Sequence, residues 1–147
     1  MRLLTAVCLL LLSCPALACP SEGVWEQYLD KARQAFDHHN YFEARRMFSA
    51  SLQAAERSQQ DLKLAKRLED IAESYAQKRR CRVAEAIHKK AIQIYQKRLG
   101  ANHLSVVGSI MRLARILRNS NREQEASDWE TRAKNILARR QAEPDNG

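Results

Sequence analysis

The sequence predicts an all-α chain, an α-α superhelix (solenoid) of three stacked helical hairpins, and three observations predict it. Small residues recur in register: Ala32, Ala72 and Ala114 lie 40 and 42 residues apart. Ala44, Ala84 and Ala126 follow them by twelve, and Ser51, Ala91 and Ala133 by a further seven. Small side chains are wanted where two helix backbones approach closely, so this rhythm reads as one hairpin written three times. Strong helix formers dominate, and no segment alternates apolar and polar residues with period two. Finally, the breakers fall at matching places. His38-His39-Asn40, Arg79 to Arg82 and Asn119-Ser120-Asn121 interrupt the pairs, while Ser58 to Asp61 and Gly100-Ala101-Asn102 separate them.

Residues 1–18 read as an export signal rather than as fold. Arg2 gives a short positive start, Leu3 to Leu12 an apolar run, and Ala16-Leu17-Ala18 a small-x-small cleavage site. The run is shorter than the roughly 20 residues that span a bilayer. Ordinary cleavage after Ala18 is the expectation. A small residue before Cys19 also resembles a bacterial lipoprotein signal, which leaves lipidation of Cys19 as the alternative. The expected product is periplasmic or secreted, or membrane-anchored through Cys19. Cys19 and Cys81 would share an oxidising compartment, where a disulfide between them is open unless Cys19 carries lipid.

After a linker at 19–23, the repeat domain is expected over 24–140, in units of about 24–58, 59–100 and 101–140, with a flexible tail at 141–147. The expected helices are 24–37 and 41–57, 61–77 and 81–98, 103–118 and 122–140. Asp61 is placed to cap the third helix. Gly100 is placed to end the fourth in the left-handed conformation, with Lys97 and Arg98 near that helix's negative end. One face of the second pair gathers Leu64, Leu68, Ile71, Ala72 and Tyr75, and its partner helix gathers Val83, Ala84, Ile87, Ala91, Ile94 and Tyr95. Stacking turns such stripes into one core, for which about three repeats are the minimum.

The chain carries 25 lysines and arginines against 17 acidic residues, a net charge of +8. The excess is concentrated. Lys78, Arg79, Arg80, Arg82, Lys89, Lys90, Lys97 and Arg98 face Glu85 alone between positions 78 and 98. Such a patch suits an anionic partner or surface. Nucleic acid is not expected, because base-stacking aromatics are not interleaved with these cations.

In that register the residues resemble tetratricopeptide repeats, which place small residues at the eighth, twentieth and twenty-seventh positions. The fourth position is large, as Tyr28, Leu68 and Ile110. Tyr41 matches the aromatic seventeenth position, where Cys81 and Glu123 depart from it. Phe48 matches the twenty-fourth, where His88 and Glu130 depart. Ala91 to Tyr95 followed by Leu99-Gly100-Ala101-Asn102-His103 is similar to the kinesin-light-chain subtype, with Leu104 replacing its usual proline.

The resemblance implies a concave groove lined by the first helix of each pair. By position this groove would hold Leu29, Arg33 and Phe36, then Lys66, Glu69 and Glu73, then Met111, Arg115 and Arg118. It implies a non-catalytic scaffold or adaptor binding a peptide or partner helix, which the export signal would place in the bacterial envelope or secreted space. The alternatives are an accessory subunit of an envelope enzyme or secretion complex, and a helical protein binding anionic surfaces through its basic convex wall. The lysine and asparagine pattern of the family's carboxylate clamp is missing at the groove positions Leu29, Arg33, Glu69, Glu73, Met111 and Arg115.

No nucleophile with an evident base and no phosphate-cradling loop is encoded, so neither catalysis nor a cofactor is expected. His38, His39, His88 and His103 are expected near turns or on a polar face, without ligand spacing for a metal. Glu69 and Glu73 stand one helical turn apart, where Lys66 and Arg115 are the expected ion-pair partners. Trp129, Ile136 and Leu137 on the last helix have no following repeat to cover them. Either this helix caps the stack itself through Glu130, Arg132 and Lys134 or the end meets another molecule, self-association being one expectation.

Overall fold

The computed structural model describes residues 23–142 of the 147-residue chain. The export signal, Cys19 with its lipidation or pairing, and the last five residues of the tail lie outside the described residues. Among the described residues six helices follow one another: α1 Val24–Asp37, α2 Tyr41–Arg57, α3 Asp61–Gln77, α4 Cys81–Leu99, α5 Leu104–Arg118 and α6 Glu123–Ala142. Among the described residues there is no strand. The last helix persists two residues past its expected end, since Gln141 and Ala142 favour helix and Pro144 is the first breaker.

All nine small residues of the register are buried. The pairs α1–α2, α3–α4 and α5–α6 pack as antiparallel hairpins. Leu64 and Leu68 of α3 and Ile110, Leu113, Ile116 and Leu117 of α5 are fully buried in one shared core. Burying each such side chain contributes about 1.5–3 kcal/mol. Hairpins two and three dock broadly through α4 and α5. Hairpin one meets hairpin two only narrowly, through α2 and α3.

The turns obey one rule. His39, Arg79 and Asn121 within the pairs, and Gln59 between the first two, all have φ between 55° and 60°. Each is followed by an amide bonded five residues back, as Asn40 N–H to the Ala35 carbonyl at 2.8 Å and Gln60 N–H to the Ala55 carbonyl at 2.8 Å. That is the helix-ending motif normally built on glycine. Here a non-glycine residue occupies the left-handed position at all four sites.

Two expected caps differ. Asp61 does not cap α3. Its carboxylate lies 3.0 Å from Arg98 instead, leaving Oδ1 without a hydrogen-bond partner. Charge attraction from the far end of α4 outcompetes the local amides. Gly100 has a positive φ of 89°, but its ψ of 156° lies outside the left-handed helical well, in a region essentially restricted to glycine. Lys97 likewise turns from its helix end to Glu56 of α2, at 2.5 Å. Asn40 and His103 act as caps, accepting from the Glu43 and Ser105 amides at 3.2 and 3.1 Å.

Candidate partner-binding surface

The regular repeat places equivalent positions of α3 and α5 side by side, and their charges meet there. Glu69 is nearly buried, yet its Oε2 receives Arg112 Nη1 at 2.8 Å, with Lys66 Nζ 3.8 Å away. One turn on, Arg115 Nη2 reaches Glu73 at 2.9 Å. Lys66 also lies 3.9 Å from Asp70. Carboxylates and cations therefore alternate across the face, bordered by exposed Met111. The Tyr95 hydroxyl points at Glu69 from α4, 3.5 Å away; burial first, and then the Glu69 charge, push its pKa up to about 12.

The sequence-predicted groove residues divide into three groups. Lys66, Glu69, Glu73, Met111 and Arg115 share the α3–α5 face. Arg118 turns to α6, with Glu123 at 3.1 Å and Glu130 at 2.7 Å, because α6 brings those carboxylates within reach of the end of α5. Leu29, Arg33 and Phe36 belong elsewhere. They line a separate cleft of about 470 Å³ between the first two hairpins. Leu29 is buried in its wall. Phe36 meets Tyr75 edge-on with centroids 5.5 Å apart. Sequence reasoning missed Arg112, although its position one repeat beyond Asp70, the neighbour of Glu69, was a usable signal.

The basic stretch is half neutralised. Arg80 lies 3.0 Å from Asp37, Lys89 2.6 Å from Glu85, Lys97 2.5 Å from Glu56 and Arg98 3.0 Å from Asp61. Lys78 and Arg80 also lie over the Tyr75 ring, at 5.8 and 6.0 Å. Arg79, Arg80, Arg82 and Lys89 line an open concavity between the α3–α4 and α5–α6 turns, together with Arg122, Glu85 and Glu125. Arg122 clamps both of those carboxylates. Burial would raise the Glu85 pKa, but the Arg122 and Lys89 hydrogen bonds hold it below the usual value. The surface is a mixed charge network in which four of the eight cations of the basic patch are paired with carboxylates.

His88 departs most from expectation. It is not on a polar face but fully buried, and neither ring nitrogen has a hydrogen-bond partner. It occupies the slot filled by Phe48 in the first hairpin, so repeat geometry carries an imidazole into the core. His38 and His39 are exposed at the first turn, as expected, with His39 Nδ1 3.0 Å from the Tyr41 hydroxyl. Among the described residues no three metal-ligating side chains gather, and no helix is long and apolar enough to cross a membrane. Cys81 is half-buried and has no disulfide partner among the described residues.

On α6, Ile136 is buried and Trp129 is partly covered, with Arg132 and Lys89 over its ring at 5.0 and 5.8 Å. Leu137 alone of the three is exposed.

Residues 64–105 match the family model of the tetratricopeptide repeat. The match covers most of the second hairpin and the link into the third. No curated protein and no solved structure matches the chain.

Proposed function

We propose that this chain, an all-α stack built on a tetratricopeptide-type repeat, is a non-catalytic scaffold holding a partner protein's extended segment or helix on its α3–α5 face. Repeats of this family generally mediate protein–protein interaction. The observation that carries the reading is the alternating row of Glu69, Arg112, Glu73 and Arg115 beside Met111, which is 46% exposed. Methionine and arginine are enriched at interfaces, where a central apolar anchor dominates affinity and charges set the register. A partner presenting a complementary row would exchange these ion pairs while covering Met111.

The test is capture of partners from extracts of producing cells by wild type, Met111→Glu and Arg115→Glu, with circular dichroism to verify folding. Both variants lose the band that wild type retains. Undiminished capture by folded variants removes the α3–α5 face from the reading. We also propose that the scaffold works in the envelope or outside the cell, supported by the charged, apolar and small-residue order of residues 2–18. Intact mass of the protein recovered outside the cytoplasm tests this: residues 1–18 are lost, and an added lipid would sit on Cys19. An uncut mass counts against export by this route.

A further inference from the structure

We infer that the cleft between the first two hairpins binds a single-chain anionic amphiphile of the fatty-acid class. Its volume of about 470 Å³ falls within the ~300–1,000 Å³ typical of small-molecule sites. The wall is aliphatic and aromatic, with Leu29, Phe36, Phe48, Ile71, Val83 and Ile87 contributing. Two tyrosines also line it, but their hydroxyls are engaged elsewhere. Tyr41 meets His39 at 3.0 Å and Tyr75 donates to Asp37 at 3.3 Å.

The remaining polar lining is cationic. Arg33, Arg45 and Arg82 stand around the cleft, all three exposed, and no carboxylate lines it. Arg33 has one loose, solvent-exposed contact to Asp30 at 3.7 Å. Among the described residues no acidic side chain pairs with Arg45 or Arg82. Long arginine stems can lie along an apolar wall while their heads stay in water. An apolar interior rimmed by Arg45 and Arg82, with no acidic partner among the described residues, and by the loosely held Arg33 thus complements an acyl chain ending in a carboxylate, which receives charge-assisted hydrogen bonds at the rim.

The void is held open by contacts at both ends. Arg80 to Asp37 and the Phe36–Tyr75 edge contact join the hairpins at one end. Trp25 Nε1 donating to Gln60 at 3.1 Å and Lys97 to Glu56 join them at the other. Between these struts the apolar walls lack a partner. The walls are flanks of helices whose backbone groups are already paired, so strand addition finds nothing to bond.

Isothermal titration of the protein with dodecanoate and decanoate, both below their micellar concentrations, tests the inference. Dodecyltrimethylammonium serves as the cationic control. Saturable one-to-one binding of dodecanoate is expected. Each buried methylene is worth about four-fold in affinity, so decanoate, two methylenes shorter, binds roughly fifteen-fold more weakly. The cationic amphiphile binds at least about ten-fold more weakly than dodecanoate.

Arg45→Gln with Arg82→Gln weakens dodecanoate about five- to ten-fold while the thermal melt is unchanged. Ala86→Trp fills the cleft and abolishes binding, with melting again verifying the fold. Absence of saturable binding overturns the inference. Equal affinity for the cationic chain also overturns it, as does binding only to phosphatidylglycerol vesicles, or to a helical peptide in place of dodecanoate.

Discussion

Ser51 Oγ donates to the backbone carbonyl of Trp25 at 2.8 Å, joining α2 to α1 across a separation of 26 residues. Ser51 is fully buried, at the register position that the other two hairpins fill with Ala91 and Ala133. A small residue lets the backbones approach closely enough for its hydroxyl to reach a main-chain oxygen of the neighbouring helix. Ser51→Ala keeps the spacing and loses one buried hydrogen bond, costing about 1 kcal/mol. Ser51→Leu overpacks the crossing and costs about 1–3 kcal/mol. Urea titration separates the two, and equal costs would remove the close-approach explanation.

Glu69 and Arg112 couple the second hairpin to the third. Glu69 is almost inaccessible, while Arg112 is half exposed, so water screens part of the attraction. Arg112→Ala is expected to cost about 1.5 kcal/mol, near the low end for a charged hydrogen bond. A double-mutant cycle with Glu69→Gln should return a coupling of at least about 0.5 kcal/mol. A coupling of zero would show that the pair only decorates the surface.

His88 makes stability depend on acid. Burial lowers its pKa below the ordinary 6.5; Glu69 and Glu73 on α3 oppose this, while Arg112 and Arg115 on α5 reinforce it. A group whose folded pKa is depressed binds its proton more readily in the unfolded chain. Its contribution is therefore full above about pH 6.5 and declines as pH falls toward the folded value. The slope approaches about 1.4 kcal/mol per pH unit for one proton. In melts between about pH 7.5 and 5, His88→Leu should remove this slope. A wild-type slope that survives in the variant assigns the effect to another group.

Two backbone positions give opposite results. Gln59 holds φ of 55° with a full side chain, so Gln59→Gly relieves strain and raises stability by up to about 1 kcal/mol. Gly100 has open space where a methyl group would stand, but its φ and ψ are a glycine conformation. Gly100→Ala is expected to cost about 1–3 kcal/mol through backbone strain alone. Chemical denaturation with both variants reads the signs directly.

The hairpin register was legible because it follows from local rules. Turn clusters such as His38-His39-Asn40 and Asn119-Ser120-Asn121 interrupt the helices locally, and the small residues recur at fixed spacing. Of the expected groove, the α3–α5 half was legible through the same spacing, including the pairing of Glu73 with Arg115. Leu29 and Phe36 were placed by position, yet their surroundings depend on how far hairpin one tilts from hairpin two. No residue type announces that tilt. It emerges from Asp37, Tyr75, Arg80, Trp25 and Gln60 meeting across 35 to 43 positions of chain.

By itself the sequence determined the number of helices, their turns and the faces that must be hidden, because propensity, capping and periodicity act within a few residues. The tertiary structure alone decided that Glu69 takes Arg112 and Lys97 takes Glu56, why Asp61 serves Arg98 rather than its own helix, and that an imidazole lies in the core. Those outcomes depend on distances between segments far apart in the chain, where Coulomb attraction and packing compete and local composition has no say.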